Sequence, residues 1–203
     1  MIHPKLLKIF HQDDRDLPLL IGITGWKKHG KNTIADHLVK KYNYKKLHAV
    51  ETLLNCFMEL FTLDEDQVKG DRKDNKDDFW GFVPRDPLNV LGTDFLREQG
   101  ELLIPGIGDK LLVKAIERKI LKIWEKNPKT RIVLTNIRFP NEVDLIKKYN
   151  GLMIKVKRNL PDDEFCVVHK SDLYIDQLSV DHDLENYSTT SDLLQLVDSI
   201  ITQ

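Results

Sequence analysis

Residues 23–38 read ITGWKKHGKNTIADHL. Gly25 is followed by four residues and then by Gly30 and Lys31, the spacing G-x-x-x-x-G-K. Gly25 lets the chain leave a strand in a conformation that a side chain would oppose. Successive backbone N–H groups then turn into a concavity that holds phosphate oxygens. A helix starting near Asn32 adds the positive end of its dipole, and Lys31 can bridge the outer phosphates. The candidate phosphate-binding residues are therefore Gly25, Lys28, His29, Gly30, Lys31, Asn32 and Thr33. The strict pattern places Ser or Thr directly after Lys; here Asn32 stands there and Thr33 follows. An amide carbonyl can ligate Mg²⁺ and a hydroxyl can face a phosphate, so Asn32 and Thr33 are the metal-side candidates. Lys27, Lys28 and His29 strengthen the anion site, or the two lysines belong to a solvated loop.

The elements that must position this loop follow from hydrophobic patterning. LPLLIGITG (17–25) is a short apolar run and reads as a buried strand. A helix follows from Asn32 to Tyr42, with Ile34, Leu38 and Val39 on one side. Residues 45–50 suggest a second strand. Val50, Leu53, Leu54, Phe57, Met58 and Phe61 recur at helical spacing. Residues 64–78 carry almost no apolar side chains and read as a solvated loop or mobile excursion. A helical pattern returns over Asp86–Glu98, and the clearest long helix runs from Leu111 to Trp124. RIVLTN (131–136) is a strand candidate, Phe139–Tyr149 a helix, LMIKVK (152–157) a strand, LEN (184–186) a last short strand and Ser191–Ile201 a terminal helix. Strands alternating with helices predict an α/β fold with a mainly parallel sheet in three layers. One domain is expected over 1–203, with a polar lead-in over 1–17, partly helical at Lys5–Phe10.

Composition excludes several classes. Charged residues make up 31% of the chain, hydrophobic ones 41%, and the formal net charge is -1. That is a globular composition and disfavours nucleic-acid binding driven by net positive charge. Cys56 and Cys166 are too few for a disulfide scaffold and lack zinc-like spacing. No apolar run reaches the ~18 residues of a membrane span. A soluble protein of the cytoplasm is expected, with no membrane or nucleic-acid partner.

Taken together, the segments carry a family resemblance. GKNTIADHL resembles the GKDT-type phosphate loop of the deoxynucleoside monophosphate kinases of phages and large DNA viruses. PRDPLNVLGTDFLRE (84–98) is similar to that family's arginine-bearing helix, and VLTNIRFPNEVDLIKKYNGLMIKVKR (133–158) to its strand, R-F-P-N-E turn and next strand. VVHKSD (167–172) resembles a lid element, and LENYSTTSDLL (184–194) a closing strand and helix. The resemblance spans nearly all of the chain after residue 18, and the shared order of the motifs carries more than any one of them. It implies a P-loop kinase fold, ATP with Mg²⁺ as phosphoryl donor, and a deoxynucleoside monophosphate as acceptor. It further implies an acceptor-covering region at about 50–108, a lid at about 158–180 and, for a viral protein, the host cytoplasm. A homodimer is compatible with it.

The resemblance also implies residue roles. Lys31, Arg97, Arg138 and Arg158 would be catalytic, with Arg158 acting from the lid. Arg85, Asp94, Arg97 and Arg138 would hold the acceptor, and Asn186 would lie near the donor adenine. Asn136 departs from the pattern, because related enzymes commonly carry Asp there to orient Mg²⁺ or its waters. Each arginine has a plainer reading. Arg97 could pair with Asp94 or Glu101, Arg138 with Glu142, Arg85 could open a helix, and Arg158 could be a strand-end surface charge. Asp94 could equally cap or pair.

Other motifs carry less. NKDD (75–78) and DFWG (78–81) imitate GTPase signatures but overlap in the wrong order inside a charged stretch. PGIGD (105–109) lacks the third Gly and the preceding strand of a dinucleotide site. His169 with Asp172 lacks metal spacing and reads as lid or surface. Trp26 either covers a base or packs on the loop, while Trp80 and Trp124 read as packing residues. Two rival functions remain open: a kinase for another small phosphorylated acceptor such as phosphomevalonate, and a non-catalytic ATP-binding module.

Overall fold

The computed structural model describes residues 17–158, 170–186 and 188–202. The lead-in helix at Lys5–Phe10, Cys166, His169 and the 159–169 part of the expected lid lie outside the described residues. The chain divides into two compact units, Met1–Ala49 with Ile120–Gln203, and Val50–Lys119.

The first unit is built on a five-stranded sheet. Its strands are β1 (Leu20–Thr24), β2 (Lys45–His48), β3 (Ile132–Ile137), β4 (Leu152–Lys157) and β5 (His182–Glu185). The order is β2-β3-β1-β4-β5, and every neighbouring pair is parallel. All five residues of β1 are buried, as a central strand covered on both faces requires. On one face lie α1 (Lys31–Tyr42) and, at the end of the chain, α7 (Thr190–Ile201). Ile34, Ala35 and Leu38 of α1 and Leu193, Val197 and Ile201 of α7 close over Ile21, Ile23, Ile154 and Val156. Val39 was expected on this face, yet it is exposed. Its position next to Leu38 rotates it about 100° around the helix, away from the sheet.

The ends of these helices are set locally. Asn43 adopts φ 58° and returns its N–H to the last turn of α1, a left-handed stop. Thr189 and Asp192 form a capping box at the start of α7. Asp198 of α7 ties back to α1 by accepting from Lys41 Nζ at 2.6 Å and Tyr42 Oη at 2.8 Å, and its Oδ1 lies 2.7 Å from His37 Nε2. On the other face Gly22 leaves room for Met153 and for Ile146 of the helix at Pro140–Lys148, since a Cβ there would lie 2.4 Å from Met153 Sδ. Trp124 is buried, stacks edge-on against Tyr149 and donates to the Thr130 carbonyl at 2.9 Å, which fits the packing role expected of it.

The second unit is helical. It opens with α2 (Glu51–Phe61), whose Leu54 and Phe57 face Leu63 and Val68. The expectation of a loop gives way to helical turns over 64–74, while most of 64–78 stays exposed as expected. A short helix, α3 (Glu65–Val68), starts from an Asp64–Gln67 capping box, and a 3-10 turn follows at Asp71–Asp74. Arg72 reaches both Asp64 and Asp66, Lys69 reaches Glu51 and Asn55, and Val68 is buried. Capping, one buried valine and local ion pairs order a stretch that composition alone reads as unstructured. Trp80 is partly exposed and packs against Phe61 and Phe82 while donating to the Phe61 carbonyl.

The single helix expected over Asp86–Glu98 is two pieces. Helix α4 (Arg85–Asn89) passes into a π-helical turn at Val90–Phe95. Gly92 lies in that turn with Leu53 so close that a Cβ would meet it at 2.9 Å. Helix α5 (Leu111–Lys126) begins in this unit. Helix α6 (Pro140–Lys148) lies between β3 and β4 in the chain.

Candidate active site

The phosphate-binding candidate sits between β1 and α1, at the carboxyl edge of the sheet where open α/β folds place ligands. Gly25 has φ 140°, and a Cβ there would lie 2.4 Å from the Val156 carbonyl oxygen. The loop therefore leaves β1 pressed against β4, and glycine is needed for both reasons. Lys28 takes φ 67° and Gly30 φ 112°, so the chain turns sharply before α1 begins. Asn32 and Thr33 are exposed on the first turn of α1, where their backbone and side-chain donors are open to a ligand.

Lys31 is 9% exposed, and its ammonium donates to the Trp26 carbonyl at 2.6 Å. Burial pushes its pKa down to about 8, the Arg138 charge pushes in the same direction, and Asp172 opposes them. The lysine is thus a buried cation met by a backbone carbonyl, with the Asp172 charge only partly offsetting burial and Arg138. A polyanion would add the negative charge that favours its protonated form. Trp26 serves the loop through its backbone, accepting from Lys31 and from the His29 N–H.

His29 and Asn186 brace the loop. The His29 ring is buried and accepts from the Arg158 N–H at Nδ1, 3.2 Å away. Burial holds its pKa below the ordinary value; the Lys31 and Arg158 charges add to this, and a backbone hydrogen bond at Val156 and the Asp176 charge oppose it. The ring at the heart of the loop is therefore a neutral brace. Asn186, at the end of β5, donates from Nδ2 to the His29 carbonyl at 3.0 Å. The same Nδ2 would lie 2.9 Å from a Cβ on Gly30, which fits glycine at that position. Sequence reasoning set Asn186 on the adenine side; the structure places it against the phosphate loop.

Arg138 follows β3. Glu142, the partner of the plainer reading, is 2% exposed and accepts the N–H groups of Arg138 and Phe139 at 2.8 and 3.2 Å, so its carboxylate caps α6. The Arg138 guanidinium meets Asp172 in the 3-10 segment at Lys170–Gln177. Lys31, Arg138 and Asp172 influence one another electrostatically, so two cations and one carboxylate from three elements meet beside the loop. Asp172 is read from the sequence as a lid or surface residue rather than as half of a metal or base pair with His169. Its position in the chain gives no sign of this contact. Arg158 is exposed at the end of β4, and its backbone braces His29.

The remaining candidates lie in the second unit. Arg85 forms an ion pair with Asp74 of the 3-10 turn, its Nη2 donating to Oδ2 at 3.1 Å. Arg97 is 7% exposed, a burial that arginine rarely reaches on a plain helix surface. Glu101, one proposed partner for it, accepts the N–H groups of Gly106 and Gly108 at 2.7 Å each. Asp94 lies in the π-helical turn.

The chain is 33% identical over 143 residues to a protein of Acanthamoeba polyphaga mimivirus named "Putative deoxynucleotide monophosphate kinase", covering 69% of this chain and 74% of that one. Among solved structures, dephospho-CoA kinase from Campylobacter jejuni matches with a TM-score of 0.50 at 11% identity, covering 90% of this chain and 97% of that one. Shikimate kinase from Aquifex aeolicus matches with a TM-score of 0.46 at 11% identity, covering 89% and 94%. No protein-family model matches the chain.

Proposed function

The chain belongs to the deoxynucleoside monophosphate kinase family of phages and large DNA viruses and is a phosphotransferase of the P-loop fold, and on that footing we propose that it moves the γ-phosphoryl group of ATP to a deoxynucleoside monophosphate. The observation that carries the donor half is the buried Lys31 at the end of the loop, its charge disfavoured by burial and by Arg138. The loop N–H groups and Lys31 hold the β- and γ-phosphates. Lys31 exchanges the Trp26 carbonyl for phosphate oxygen as ATP enters. The acceptor phosphate oxygen attacks in line; the bond from the γ-phosphorus to the bridging oxygen breaks, and ADP and the diphosphate leave. Charge spreads over the transferred oxygens in the transition state. Arg138 answers it once Asp172 yields the guanidinium. Arg158 acts from the lid, and Arg85, Arg97 and Asp94 hold the acceptor. Positioning and electrostatics supply the rate, and no general base is assigned.

Magnesium would be bound mostly through the phosphates. Among the described residues no group of three His, Cys, Asp or Glu side chains could hold a metal. Asn32 and Thr33 are exposed residues at the loop, each carrying a side-chain oxygen. Such a donor set fits an ion that brings its own waters and phosphate ligands. When bound, the ion would neutralise negative charge on the phosphates.

The neutral Asn136 favours one alternative, an ATP-binding module without turnover. Mg-ATP offered with a panel of deoxynucleoside and ribonucleoside monophosphates and phosphomevalonate separates the readings. Acceptor-dependent diphosphate that vanishes in Lys31→Ala supports the proposal. ATP binding with no product from any acceptor rejects it. Product from phosphomevalonate alone moves the acceptor to another class.

A further inference from the structure

Strands β1 and β3 run in register from Leu20 opposite Ile132 to Ile23 opposite Thr135. The next pair is Thr24 with Ile137, so Asn136 is one residue too many on β3. It takes φ 61°, a left-handed conformation that asparagine tolerates better than most residues. The Thr24 hydroxyl donates to the Ile137 carbonyl at 2.7 Å and fastens the strands just beyond the bulge. Thr24 is the residue before Gly25, so the bulge lies at the root of the phosphate loop.

Bulges re-aim side chains. This one brings the Asn136 carboxamide to His48, with Nδ2 2.5 Å from Nε2. His48 ends β2 opposite Thr135. The ladder continues past it, because the Ala49 N–H donates to the Thr135 carbonyl at 2.9 Å. The His48 backbone is therefore held within the ladder, which fixes where its ring starts. An amide nitrogen can only donate. Nε2 must then accept, and a neutral ring carries its proton on Nδ1. The carboxamide is fixed with its other atom, the carbonyl oxygen Oδ1, turned from the ring.

We propose that His48 is a positioning residue that locks the Asn136 carboxamide in this orientation, so that a neutral carbonyl oxygen is fixed at the end of β3, where the bulge meets the root of the phosphate loop. Asn136 then offers an acceptor to the waters or hydroxyls around the bound phosphates without adding negative charge to them. This deepens the kinase reading above and rests on it.

Two measurements test it. The first uses the protein without ligand. Nitrogen-15 NMR of the histidine rings at mildly alkaline pH should show His48 protonated at Nδ1, with the Nε2 shift moved by Asn136→Ala. Protonation at Nε2 would overturn the proposal, because the amide would then be reversed. The second is a double-mutant cycle. His48→Leu should lower kcat about tenfold to a hundredfold, the usual cost of losing an outer partner. The loss should disappear in the Asn136→Ala background. His48→Gln, which can still accept from the amide, should recover most of the rate. Equal losses in both backgrounds, with Gln no better than Leu, would show that His48 acts otherwise. If the unmodified enzyme turns over no acceptor, the kinase reading fails, and the ring tautomer still decides the orientation.

Discussion

Lys31 carries a charge in a place that resists it. Burial and Arg138 depress its pKa to about 8, while ATP would raise it again by supplying negative charge. The sign follows. Below the depressed pKa the lysine is already protonated, and ATP binding takes up little. Above it the free loop has lost the proton and must regain it to bind. Uptake should be small at neutral pH and approach one proton by about pH 9, and ATP affinity should fall over the same range. Calorimetry in buffers of different ionisation enthalpy reads this directly. Uptake that stays flat with pH would contradict the assignment. Asp172 raises the lysine pKa, so Asp172→Asn should start the uptake at lower pH. Lys31→Ala should cut kcat/KM by about 10²–10³ or more, yet melt no lower than the parent, because it removes a poorly compensated buried charge. The loop spacing makes Lys31 legible in the sequence. The Asp172 partner of Arg138 is not, since it lies 34 positions away and depends on how the 3-10 segment folds back.

Elements explain what patterning could and could not reach. Strands β1, β3 and β4 and helices α1, α2, α5, α6 and α7 announce themselves through apolar runs and helical spacing. The 64–78 stretch does not, because its order comes from capping and ion pairs around one buried residue, Val68. Asp66 accepts the Asp71 N–H at 2.9 Å and pairs with Arg72. Asp66→Ala should speed amide exchange across Asp71–Asp74 while shifting the melting temperature little, since these ion pairs are solvent-exposed. Unchanged exchange would mean the turn is held by other contacts. The extra residue in β3 is equally silent, because a bulge arises from a mismatch between two strands and neither strand alone records it. On the α1–α7 seam, Asp198→Ala strips the acceptor from Lys41 and Tyr42 and removes the contact with His37. A loss of about 1–2 kcal/mol in urea titration is expected, with ATP KM unchanged.

At the scale of the molecule, the alternation of strands and helices predicts a mainly parallel sheet, and all its pairs are parallel. The order β2-β3-β1-β4-β5 was beyond the sequence, because apolar runs show burial and not neighbours. The family places the chain among phosphotransferases; the acceptor is the part that chemistry must name. The most direct measurement is a product balance. Radiolabelled γ-phosphoryl ATP is mixed with each monophosphate, and label in the diphosphate is counted against ADP formed. The account predicts one labelled diphosphate per ADP for one or a few deoxynucleoside monophosphates, absent in Lys31→Ala. ADP with label only in inorganic phosphate, whatever the acceptor, would contradict it.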